Sequence, residues 1–201
     1  MDNTLLTEKK EIPVEVELVK AVKRHIGSDE MYHIRKNYGK SVNGADIRSI
    51  CEIYSVADIP GGLDRYRLEP VFILSWMIFR NPGCADGNGN IPFEAFLHDL
   101  YDDGSRSTKE WLQGFLDKRY YSGDAFAAAI GRVFERVRKL PGADDLNYVK
   151  LLYDMENILR GGESARRTLR EWAITMLVGR KKPKPETEEP STAETVNIEK
   201  P

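Results

Sequence analysis

Apolar residues recur at helical spacing along most of this chain, and no stretch keeps the alternate-residue rhythm of a half-buried strand. Leu18, Val22 and Ile26 make one stripe, ended by Gly27. Ser28 is placed to cap the next helix, with Asp29 and Glu30 in its first turn and Gly39 at its end. Ala45 to Tyr54 gives a third helix, closed by a Pro-Gly-Gly break at 60–62. A strongly apolar helix then runs from Glu69 to Arg80. After a Gly/Asn loop come Phe93, Phe96, Leu97, Leu100 and Tyr101, at i, i+3, i+4, i+7 and i+8. Ser107 and Glu110 have capping-box spacing ahead of Trp111, Leu112, Phe115 and Leu116. Ser122 opens a helix with Phe126, Ile130, Val133, Phe134 and Val137 inward, broken by Pro141-Gly142. Asp144 or Asp145 is placed to cap the following one, with Val149, Leu152, Met155 and Leu159, up to Gly161-Gly162. The last helix carries Leu169, Trp172, Ala173, Met176 and Leu177.

The expectation is an all-α protein of about seven to nine helices in two small bundle lobes. The lobes cover 15–82 and 92–179, joined by the loop 83–91, after a flexible N-terminus at 1–14. The Pro/Glu/Thr/Ser composition of 183–201 predicts a disordered acidic tail. With 201 residues, 41% of them apolar, the chain is long enough to bury a sizeable core.

The most apolar run, Pro70 to Phe79, is too short to span a bilayer, which takes about 20 residues. No signal-peptide pattern opens the chain, and Cys51 and Cys84 are too few for a disulfide framework. A cytoplasmic protein with reduced thiols and no membrane contact is the expected class.

Catalytic signatures are missing: there is no P-loop, GxSxG, HExxH, CxxC pair or dinucleotide-binding glycine pattern. His25, His33 and His98 lie on separate helices without ligand spacing. Asp86-Gly87-Asn88-Gly89-Asn90-Ile91 reads like the middle of an EF-hand loop, which needs carboxylates at both ends. With Gly89 at loop position 6, those ends fall on Cys84 and Ala95. The expectation is therefore a binding protein and not an enzyme, with no metal and no cofactor.

Its net charge of −2 hides an uneven distribution. Residues 84–107 carry −4, and residues 108–182 carry +5. Arg132, Arg136 and Lys139 share one helix face, opposite Ile130, Val133 and Val137. Arg166 and Arg170 repeat the spacing on the last helix, with Arg167 beside them. Lys23, Arg24, Arg35 and Lys36 supply further cations in the first half. Arginines at helical spacing neutralise phosphates in groups without reading sequence. The alternative is a solvated face with local ion pairs such as Glu135 to Lys139, on a plain helical interaction module with a degenerate EF-hand-like loop.

The order of four C-terminal segments favours the first reading. "DDGSRSTKEWLQGFL", "AFAAAIGRVFERVRKL", "DDLNYVKLLYDMENIL" and "ARRTLREWAITML" together resemble the CasB family, the small subunit of the type I-E CRISPR surveillance complex, Cascade. Ser105, Ser107 and Thr108 match its first element, Arg132 and Arg136 its second, Leu151, Leu152 and Asp154 its third, and Arg170, Trp172 and Ala173 its fourth. Ile34, Arg35 and Lys36 fall on a Leu-Arg-Arg segment of the N-terminal half. Asn147-Tyr148 and Ile158 depart from the tryptophans usual in the third element. The resemblance implies a non-catalytic all-α subunit present as two copies beside other Cascade subunits. Such a subunit would stabilise the paired crRNA and target DNA, and the displaced strand, by backbone contacts.

Overall fold

The computed structural model describes residues 14–25, 32–56, 65–81, 89–120 and 122–179. Among them the protein is all-α. The helices are α1 (Val14–Arg24), α2 (Tyr32–Arg35), α3 (Ile47–Val56), α4 (Arg65–Arg80), α5 (Phe93–Asp102), α6 (Arg106–Asp117), α7 (Gly123–Val137), α8 (Tyr148–Arg160) and α9 (Gly162–Val178). The expected N-terminal segment up to residue 13, the caps at Gly27 and Ser28, the break at 60–62, most of the EF-like loop and the acidic tail lie outside the described residues.

Helix α4 is the centre of the packing. Every residue from Val71 to Ile78 is buried, including Ser75, whose hydroxyl donates to the Val71 carbonyl at 2.6 Å. A helix that is apolar on all sides belongs inside a bundle, and α4 packs against α1, α2, α3, α7 and α8. It starts at Arg65, earlier than the expected Glu69, so Pro70 lies inside it. The missing N–H of Pro70 removes one intrahelical bond near that start, where tertiary packing overrides the local stop signal.

Helix α9 packs on α5, α8 and α6. Buried residues before position 83 and after position 91 belong to one continuous cluster, from Leu18 and Trp76 to Phe96, Phe134 and Trp172. The two halves of the chain therefore share apolar core. Gly131 permits one close crossing: a Cβ there would stand 3.3 Å from the Gly39 Cα.

Local chemistry sets the helix ends. Ser105, and not Ser107, is the N-cap of α6, accepting from the Thr108 N–H, and Glu110 instead pairs with Arg106. Ser122 caps α7 as its sequence implies. The cap of α8 is Asn147, which accepts from Lys150 N–H, while Ala143–Asp145 form a 3-10 turn. Asp145 is drawn off by Asn90, whose backbone N–H donates to its carboxylate at 3.0 Å. Two backbone bonds, Ile91 N–H to Asp145 and Asn147 N–H to Ile91, complete this link between the loop's end and the start of α8. A Cβ on Gly89 would lie 2.2 Å from the Asp145 carbonyl oxygen, so the glycine answers a close backbone approach. Leu177, expected on the inner face of α9, is 55% exposed.

Candidate nucleic-acid interface

Of the cations singled out from sequence, Arg166 and Arg170 come together with two that helix-face reasoning passed over. Helix α6 ends at Asp117, and Lys118 and Arg119 follow in the connection to α7. This connection lies beside α9, so Lys118, Arg119, Arg166 and Arg170 line one open groove with Leu116, Leu169 and Ala173. Its volume is about 360 Å³, and Asp117 is the carboxylate on its lining. All four cations are exposed. Arg166 has a loose ion pair with Glu163 at 3.6 Å, both side chains largely in solvent. Lys118, Arg119 and Arg170 have no ion-pair partner among the described residues. Among the described residues the lining carries four cations and one acid, with Glu163 loosely paired to Arg166 beside it, and this excess makes a positive potential that local pairing leaves standing.

The groove continues into a narrower cleft of about 180 Å³, lined by Arg119, Tyr120, Ile158, Ala165, Arg166 and Leu169, and by Gly161 and Gly162 at the start of α9. Gly161, the N-cap residue with φ +78°, offers no side chain to the first turn. Tyr120 is fixed by a hydrogen bond from its hydroxyl to the Phe115 carbonyl, at 2.9 Å, and by edge contact with Phe126. Burial pushes its phenol above the usual range, against the opposing charge of Arg132. Arg132 does not line the cleft.

The remaining candidates lie elsewhere. Arg167 turns away from Arg166 and Arg170 toward Glu171, at 3.1 Å, on a polar surface shared with Asp154, Asn157 and Thr168. Arg136 sits over the Trp111 ring at 4.6 Å, and Lys139 is exposed. The expected Glu135–Lys139 pair is replaced by Glu135–Arg138 at 2.7 Å, with Arg138 and the neighbouring Tyr38 hydroxyl holding the Glu135 carboxyl low despite partial burial. Arg35 stacks on Phe79 at 4.2 Å and Lys36 on Tyr32 at 4.3 Å. Lys23 and Arg24 border a second open hollow with Glu17 and Lys20. Lys23 and Arg24 belong to α1 and Arg35 to α2, helices packed mainly on α3, α4 and α8, and Lys36 directly follows α2.

Asp154 and Trp172, which carry part of the resemblance, are core residues. The Trp172 Nε1–H donates to Asp154 Oδ2 at 2.9 Å, and Lys150 Nζ reaches the same oxygen at 2.6 Å and Glu94 at 2.9 Å. Burial pushes the Asp154 carboxyl up, against these hydrogen bonds.

Among the described residues no three His, Cys, Asp or Glu side chains gather as metal ligands, and no helix is long and apolar enough to cross a membrane. No protein-family model matches the chain, and no curated protein or solved structure matches it significantly.

Proposed function

We propose that this chain is a non-catalytic subunit of a crRNA-guided antiviral surveillance complex, binding nucleic-acid backbone without reading sequence. In this reading it stabilises the crRNA–target heteroduplex and the displaced strand. The observation that carries the reading is the groove where Lys118, Arg119, Arg166 and Arg170 face one acid, three of them without an ion-pair partner among the described residues. Strand exchange in guided complexes is close to energetic balance, so a few sequence-blind phosphate contacts tip it. Guide pairing supplies the specificity, which leaves this subunit no need of a base-reading motif. Lys118 and Arg119 support the reading independently of the resemblance, because neither belongs to the motifs on which it rests.

Purification of the tagged full-length chain from its own cells tests the assignment. The expected result is co-elution of crRNA and of the repeated backbone subunits, identified by sequencing and mass spectrometry. Elution with protein partners and no guide RNA would favour a plain interaction module instead.

A further inference from the structure

The cleft between Tyr120 and α9 differs from the open groove because it has an interior. Tyr120, Ile158, Ala165 and Leu169 line it with apolar and aromatic surface, and Arg119 and Arg166 supply charge. Among the described residues no carboxylate lines it. Pockets for drug-sized ligands run to about 300–1,000 Å³. At about 180 Å³, this one is smaller and has room for about one ring system. It opens onto the groove of Lys118 and Arg170 through Arg119, Arg166 and Leu169, which line both.

A slot for one ring beside two guanidiniums, on a groove suited to phosphates, has the layout of one nucleotide. The base is apolar on its faces, and the charge lies just outside it. Bases within a duplex are paired and stacked, so they cannot enter such a slot. Bases of a single strand are free to do so, and stacking on an aromatic side chain tolerates any base because each has a π-face. Tyr120 is held rigidly by its hydrogen bond and ring contacts, so seating a base costs little ordering of the protein.

We infer that the cleft takes one unstacked base from a single strand, while Arg119 and Arg166 hold the adjoining phosphates. The inference rests on the backbone-binding reading of the groove and adds a preference for single strands over duplex.

Fluorescence anisotropy on the full-length chain separates the two. The probes are a labelled short oligothymidylate, an abasic strand of the same length and charge, and a duplex. The wild-type chain is expected to bind the thymidylate about tenfold more tightly than the abasic strand, the size of one base-stacking contact. Ala165→Phe fills the slot and leaves both arginines. It is expected to erase that preference while keeping the salt dependence. Equal wild-type affinity for base-bearing and abasic strands, still falling with salt, would overturn the cleft inference and leave the groove reading intact. Absence of salt-dependent binding to any probe would overturn both. Should Ala165→Phe not fold, the abasic comparison on the wild-type chain decides alone.

Discussion

Lys150 brings one ammonium between two buried carboxylates, Glu94 and Asp154, and Trp172 adds a neutral donor to the second. Removing a donor to a buried charged acceptor costs about 2 kcal/mol. Trp172→Phe loses the N–H together with part of the buried ring, so denaturant unfolding is expected to show a destabilisation of at least ~2 kcal/mol. An unchanged midpoint would contradict a stabilising role for this hydrogen bond. Glu69 supplies a second residue-scale expectation. It accepts from the Val42 N–H at 3.1 Å, yet burial, with Asp124 nearby, lifts its carboxyl to about 7. Its folded-state value lies above the unfolded one of 4.5, so the folded protein holds the proton more tightly. That contribution to stability is fully present below about 4.5 and lost as the pH rises through about 7. Glu69→Gln keeps an acceptor for Val42 and removes the titration. Over this window, unfolding titrations of the variant should lose the part of the pH dependence that wild type owes to Glu69. Two parallel pH profiles would contradict the assignment.

At the scale of elements, legibility follows the physical origin of each signal. The stripes of α5 and α7 were readable because one strongly amphipathic face is buried, and the residues expected inward on α7 are wholly so. Ends were less readable, because several polar residues at each end compete to cap it. Ser105 and Ser107 stand two apart and either can serve by spacing; in the fold Ser105 has the extended backbone of a cap and accepts from the Thr108 N–H. Asp145 was a fair cap for α8 until Asn90, over fifty positions away, took its carboxylate. The α6 register makes a direct expectation. Ser105→Ala should lower stability by about 1 kcal/mol, and Ser107→Ala by less than about 0.5 kcal/mol. Thermal unfolding of the two variants checks it, and the reverse order would restore the cap at Ser107. The interface was half legible. Arg166 and Arg170 follow from helical spacing, but Lys118, Arg119 and Tyr120 sit in a connection where no periodicity assigns a face. Only the packing of α6 against α9 brings them together. Arg167 lies off this groove for a related reason: one step along a helix is about 100° of rotation, which carries it to another face of α9.

For the whole molecule, the continuous core holds α9 against α5, α6 and α8, and so holds the groove in place without a ligand. A preformed groove spares the backbone any ordering on meeting phosphates, and only the long cationic side chains give up rotamer freedom. The groove substitutions are at exposed positions, where each change usually alters stability by less than about 0.5 kcal/mol. The most direct test is the salt dependence of nucleic-acid binding by the full-length chain carrying Lys118→Gln, Arg119→Gln, Arg166→Gln and Arg170→Gln together. A control variant replaces Arg106 and Arg167, each paired on the surface with a glutamate. Each lost phosphate contact lowers the slope of log affinity against log salt by about 0.7 to 0.9. The groove variant is expected to lose about three units of slope, with the control unchanged. A wild-type slope in the groove variant, or an equal loss in the control, would contradict the assignment of this groove as the nucleic-acid surface.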